Sequence, residues 1–129
     1  ALAAFAEPLG IAFQLRDDVL GTFGDPVAMG KPAGGDLREG KRTALVVDAL
    51  RDERAAEALD RVLGRRDARD EDVREAVAQM ERCGALGRIE ARIAELTRES
   101  RAALGRAALA PGGRALLEPT IEALTERKS

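Results

Sequence analysis

Residues Leu9–Thr43 read LGIAFQLRDDVLGTFGDPVAMGKPAGGDLREGKRT, and they organise the reading of the whole chain. Placed on a helix at about 100° per residue, Gly10, Gln14, Asp17, Asp18 and Gly21 fall within a stripe roughly 100° wide. The rest of the circumference carries Leu9, Ile11, Ala12, Phe13, Leu15, Val19 and Leu20, interrupted mainly by Arg16. A surface helix has a broad polar face, whereas a helix apolar over most of its girth is usually buried. The narrow polar strip is therefore expected to line an internal polar cavity, with two glycines leaving room for something to approach.

The acidic pair is poorly placed for stability alone. With the first helix expected to end near Leu20, Asp17 and Asp18 stand in its last turn, where the macrodipole disfavours carboxylates by a few tenths of a kcal/mol. Buried and unpaired, they would cost far more. A cation resolves both problems, and magnesium suits adjacent carboxylates because it keeps waters and completes its shell with phosphate oxygens. The competing reading is a solvated Arg-Asp-Asp helix end. The residues that follow favour the first. Only three of the chain's basic residues are lysines against eighteen arginines, and Lys31 and Lys41 both lie here. A compact ammonium on a flexible stem suits a phosphate-facing role. Gly30, Gly34, Gly35 and Gly40 allow close backbone approach to a ligand, a weak signal by itself.

Outward from this stretch, helix formers dominate and β-branched runs are scarce, so the fold is expected to be all-α. A first helix over about Ala1–Leu20, kinked or restarted at Pro8, is followed by a loop from Gly21 to Gly40. Thr43–Leu50 is apolar enough for a buried helix. Asp52 is placed to cap a helix ending near Leu63 with Gly64 as its stop, and Asp70 to cap the next, which stops at Gly84. Val73, Val77 and Met80 share a face of that helix. Leu86–Leu109 is a long amphipathic helix striped by Leu86, Ile89, Ile93, Leu96 and Leu104. A last helix starts near Gly113, with Leu116, Leu117, Ile121 and Leu124 on it and Pro119 inside. Everything after Asp52 reads as packing.

Composition bounds the chemistry. The chain has 129 residues, 45% of them hydrophobic and 34% charged, with a net charge of −2, a balance that supports a packed core over disorder. It shows no clustered basic surface for nucleic acid, no apolar run long enough for stable membrane insertion and no signal peptide. A single cysteine, Cys83, rules out an internal disulfide and points to the cytoplasm. With no histidine, a Ser-His-Asp triad and the usual zinc sites are excluded. Carboxylate chemistry with hard cations remains, or none. The chain opens inside an apolar run without methionine and is read as a fragment.

The ordered set Phe13-Gln14, Asp17-Asp18, Gly24-Asp25, Gly30-Lys31, Gly35-Asp36 and Gly40-Lys41 resembles the second aspartate-rich region of the trans-isoprenyl diphosphate synthases. The resemblance covers about a quarter of the chain; the rest is compatible with that family's C-terminal helices. It implies an all-α bundle of the isoprenoid synthase type. Residues 9–43 would be its motif region and residues 44–129 its packing helices, all within the C-terminal part of one domain. It also implies a homodimer, and magnesium (with manganese an acceptable substitute) gripping an allylic diphosphate that is extended by isopentenyl diphosphate. Carried over by residue, Asp17 ligates the metal and Asp18 supports or shares it. Lys31 contacts the allylic diphosphate and acts with Asp17 in catalysis. Lys41 lines the same site, Gln14 borders the reacting carbons or orients the aspartates, and Asp36 fixes the loop or a metal-bound water.

The sequence departs from that pattern at Gly21, where the motif usually has its third aspartate; Asp25 is a candidate to compensate. The family's first aspartate-rich motif is not in this sequence, so the chain alone is expected to be inactive. The alternative function is a non-catalytic helical partner subunit or scaffold. Relatives that cyclise prenyl diphosphates usually carry an Asn-x-x-x-Ser/Thr-x-x-x-Glu motif here, which this sequence lacks.

Overall fold

The computed structural model describes residues 2–24, 34–106 and 111–126. Every regular element among them is a helix, as the composition led us to expect. In order they are α1 (Leu2–Phe23), α2 (Gly35–Glu39), α3 (Ala44–Ala49), α4 (Glu53–Asp60), α5 (Asp70–Arg82), α6 (Ala85–Arg106) and α7 (Pro111–Thr125). No helix among the described residues is long and apolar enough to cross a membrane. The chain divides into two compact units, Ala1–Arg16 with Glu90–Arg127, and Asp17–Ile89 with Lys128–Ser129.

In the first unit, Phe5, Leu9, Ala103, Leu104 and Ile121 form a buried apolar cluster, with Leu124 packed against it. Burial of each large side chain of this kind stabilises by about 1.5–3 kcal/mol. Pro8 lies inside α1 and is buried. It removes one helix hydrogen bond in that turn, and close by the Ser100 hydroxyl donates to the Phe5 carbonyl at 2.9 Å. Arg16, the polar interruption in an apolar face, donates two parallel bonds to Glu90 (2.9 and 2.8 Å) and a third to the Thr125 carbonyl (2.8 Å).

In the second unit, capping explains where the helices start. The Thr43 hydroxyl accepts from the Val46 N–H at 3.1 Å and the Asp52 carboxylate from the Ala55 N–H at 3.0 Å. Each cap satisfies one of the orphan donors of a helix N-terminus. Leu45, Val46 and Ala49 bury one face of α3 while Val47 is exposed, so that helix is half-buried and not enclosed. Helix α4 packs on α5, with Ala55, Ala58 and Leu59 facing inward from one and Val73, Ala76 and Met80 from the other. Val77, expected on the same face, is only half-buried because Ala76 takes the inward position.

Four expected boundaries change. Helix α1 continues through Gly21 to Phe23, with Thr22 buried in its last turn. Helix α4 ends at Asp60, and Gly64 makes its turn at φ 73° beyond it. Asp70 begins α5 without capping it: the N-cap is Arg69, with no side-chain cap bond. The Asp70 carboxylate instead accepts from Arg38 at 2.6 Å. Helix α7 starts at Pro111, where proline's fixed φ suits a first turn. Leu109, Leu116 and Leu117 fall outside the residues or side chains described.

Candidate functional site

The acidic face of the second unit is assembled from α1 and from a short helix set inside the expected loop. Asp17 and Asp18 are on α1, more than a turn before its end at Phe23. The macrodipole penalty expected of a last-turn position therefore does not apply, because the effect fades beyond the final turn. Asp17 is exposed and Asp18 half-buried. Gly10 and Gln14, the strip residues that precede them on α1, are exposed as well. Ile11, expected among the buried residues, is 45% exposed.

Gly34 and Gly40 bracket α2, both with left-handed backbone (φ 75° and 78°) that a side chain would strain. The reversal at Gly40 lets the Lys41 N–H reach back to the Asp36 carbonyl at 3.0 Å, which folds Lys41 against the helix that carries Asp36. Helix α2 is held firmly. Leu37 is fully buried, and its carbonyl accepts from the Gly64 N–H at 2.8 Å. Arg38 donates to the Ala68 carbonyl at 3.2 Å as well as to Asp70. At the start of α2, a Cβ on Gly34 would meet Val73 at 2.5 Å, so α2 and α5 approach too closely for any residue but glycine there.

These constraints bring Asp18, Asp36 and Lys41 together. The Lys41 ammonium is 3.7 Å from an Asp18 oxygen and 3.8 Å from an Asp36 oxygen. Both are ion pairs too long for hydrogen bonds. The lysine side chain is 50% exposed, against 18% and 15% for the two carboxylates. Burial pushes the Asp18 carboxyl above the usual range, Lys41 opposes that rise, and the charges of Asp36 and Asp17 add to it. One turn beyond Asp18 the Thr22 hydroxyl is buried with no partner among the described residues.

Of the residues singled out from sequence, Asp17, Asp18 and Lys41 lie in this unit with Asp36. Gln14 belongs to the other unit, exposed on α1. Lys31 and Asp25 fall outside the described residues. Among those residues no three His, Cys, Asp or Glu side chains are arranged to hold a metal ion by themselves. The donor set therefore does not fit an ion held wholly by protein. It fits magnesium of the kind that takes one or two carboxylates and draws its other ligands from water and phosphate. Sequence reasoning missed how Gly21 and Asp36 meet. The signal was there, since a glycine inside a long apolar helix is unfavourable and asks for a packing reason. The clefts at Arg16, Glu90, Arg98 and Arg101 and at Asp48, Arg51, Cys83 and Arg88 contain none of the acidic-face residues.

Comparison with known proteins gives a consistent result. The sequence model of the Polyprenyl synthetase family matches residues 1–80. A geranylfarnesyl diphosphate synthase of Aeropyrum pernix is 37% identical over 119 residues, which is 92% of this chain and 37% of that protein. A short chain isoprenyl diphosphate synthase of Methanocaldococcus jannaschii is 43% identical over 79 residues, or 60% of this chain and 24% of the relative. Among solved structures, geranylgeranyl pyrophosphate synthase from Corynebacterium glutamicum, complexed with isoprenyl diphosphate and magnesium, superposes with a TM-score of 0.88 at 40% identity. That match covers 96% of this chain and 36% of the other. The chain thus spans about a quarter to two-fifths of the length of the proteins it matches. With a family match over most of its length and a helical fold shared with solved relatives, this chain belongs to the polyprenyl synthetase family.

Proposed function

We propose that the chain supplies a magnesium-diphosphate half-site of a prenyltransferase that condenses an allylic diphosphate with isopentenyl diphosphate to a linear isoprenyl diphosphate. The observation that carries this reading is the acid-rich face of α1 with Lys41 held over it by two carboxylates, in a chain of this family. In this reading Asp17 is the metal ligand and Asp18 shares or supports it. Lys31 and Lys41 contact the diphosphate, and Gln14 borders the reacting carbons. Magnesium, or manganese in its place, supplies electrostatic stabilisation of the departing diphosphate.

The residues of the chain have their own part. Lys41 is half-exposed, so its ammonium keeps room to meet a phosphate oxygen while Asp18 and Asp36 hold it. A fixed positive group aimed at charge that develops on a leaving group lowers the barrier without reorganising. The allylic C–O bond breaks with its electron pair leaving on the diphosphate. The double bond of isopentenyl diphosphate then adds to the allylic carbon, and proton loss restores neutrality. The working assembly in this proposal is a homodimer, and the isolated chain is inactive because the sequence holds only one aspartate-rich motif of this kind.

The test is an assay of the natural full-length protein for incorporation of isopentenyl diphosphate into an allylic primer, with magnesium and with a chelator. Product formed with magnesium and lost with the chelator supports the reading. No product with any allylic primer from five to twenty carbons would leave a helical partner or scaffold in its place.

A further inference from the structure

Helix α2 has five residues, too few for a helix to hold itself in water, so its place is set by what it packs on. Two sets of contacts hold it, and they are unequal. Toward α1 there are the ion pairs of Lys41, long ones at 3.7 and 3.8 Å. The second set is with residues 64–73, which run from beyond α4 into α5, and these contacts are short. The Gly64 N–H donates to the Leu37 carbonyl at 2.8 Å, and a Cβ on Gly40 would lie 3.0 Å from the Gly64 Cα. Arg38 adds a clamp. Its Nη2 donates to the Ala68 carbonyl at 3.2 Å and to the Asp70 carboxylate at 2.6 Å, and its side chain is only 18% exposed. Asp70 makes this bond while leaving α5 without a side-chain cap.

Arg38 stands three residues before Lys41. Between them the chain turns through the left-handed Gly40, and the Lys41 N–H closes the turn on the Asp36 carbonyl. That leaves the lysine little slack relative to the clamped arginine. A diphosphate arriving with magnesium would compete for both ends of the Lys41 ion pairs, the ammonium turning to phosphate and the carboxylates to the cation. The bonds to residues 64–73 use neither end and would persist.

We propose that Arg38, clamped by the Ala68 carbonyl and Asp70, is a positioning residue for Lys41, and that residues 64–73 are the frame on which that lysine is presented. The identity of what Lys41 meets rests on the diphosphate reading above. The frame extends the site into a stretch whose sequence reads as packing alone.

The experiment uses the natural full-length protein and calorimetry of inorganic pyrophosphate with magnesium, at a temperature well below every melting midpoint. Arg38→Met removes the clamp and is expected to weaken binding about five-fold and lower the midpoint by about 2–5 °C. Arg38→Lys keeps the charge but not the fork that spans a carbonyl and a carboxylate, so it should recover less than half of the lost affinity. Full recovery by lysine means that charge alone suffices and overturns the clamp. Action through Lys41 has its own readout. Lys41→Met should itself weaken binding about ten-fold, and Arg38→Met added to it should cost less than about 1.5-fold more, because the residue it positions is gone. A merely structural arginine would cost the same in both backgrounds, and that result overturns the inference. Asp70→Ala serves where Arg38→Met fails to fold. Asp70 is 81% exposed, so the midpoint should stay within about 2 °C of wild type. Binding should weaken about two-fold, and only with Lys41 in place; unchanged affinity overturns the frame. Wild-type protein that binds no magnesium pyrophosphate overturns the diphosphate reading and the positioning role together. Normal wild-type binding beside additive losses overturns the positioning role alone.

Discussion

Two ion-pair arrangements in this chain use similar residues and have opposite character. In the first unit, Arg16 meets Glu90 through two bonds of 2.9 and 2.8 Å and spends a third donor on a backbone carbonyl. Its side chain is only 16% exposed, and its charge is matched one to one. In the second unit, Lys41 is 3.7 and 3.8 Å from two carboxylates and is half-exposed. A planar guanidinium fork matched to a carboxylate is suited to fixing a structure. A flexible ammonium held loosely among too many acids is suited to receiving a ligand that brings both a cation and an anion.

The largest effect should come from the acidic face. Asp17→Asn in the natural full-length protein is expected to reduce turnover about 100-fold or more, the scale on which removal of one charge-stabilising group slows such a step. Its melt should move far less than its turnover, because Asp17 is exposed. Unchanged turnover at ordinary magnesium removes Asp17 from the site.

Arg16 predicts the reverse pattern. Arg16→Met leaves Glu90 and the Thr125 carbonyl without their donor, and a lost partner of that kind costs about 2 kcal/mol when the pair is partly buried. Denaturant unfolding should show that loss with little change in the affinity for magnesium pyrophosphate. A stable Arg16→Met protein that binds poorly would make the tight pair part of the site, and the contrast would collapse. A smaller effect tests how Lys41 is anchored. Thr43 lies two residues on, its hydroxyl buried and capping α3. Thr43→Ala should cost about 1 kcal/mol in unfolding free energy.

Much of this was legible in the sequence, and the exceptions share a cause. Asp52 as a cap and Gly84 as a stop were readable because such signals act within a few residues of themselves. The stripe of Leu86, Ile89, Ile93, Leu96 and Leu104 was readable from its period: Leu86 is half-buried and the other four are buried. Asp70 was misread as a cap because Arg38, 32 residues away in sequence, offers it a better partner. Gly21 was misread as the start of a loop because glycine stops helices by local rule. A Cβ there would fall on the carboxylate of Asp36, a neighbour that only the folded chain brings to it. The exposure of the strip residues of α1 depends on what covers them, which periodicity does not encode. Local signals were legible; contacts between distant segments were not.

The smallest effect carries a sign that distinguishes the two arrangements. Asp18 has its carboxyl raised above the ordinary aspartate value of about 3.9, chiefly by burial, with Asp36 and Asp17 adding and Lys41 opposing. A raised acid binds its proton more readily in the folded state than in the unfolded one, so stability falls as pH rises from the unfolded value through the folded one. The ionised Asp18 therefore costs stability at neutral pH, and Asp18→Asn should melt slightly higher than wild type there. That advantage should shrink as pH is lowered through the folded value and vanish below the ordinary aspartate range, where Asp18 is protonated in both states. A carboxylate matched to its partner behaves oppositely: Asp-to-Asn at such a pair destabilises at neutral pH. If Asp18→Asn melts lower than wild type at pH 7 without ligand, then Lys41 outweighs burial and the like charges, and the acidic face is a satisfied structural pair of the Arg16 kind.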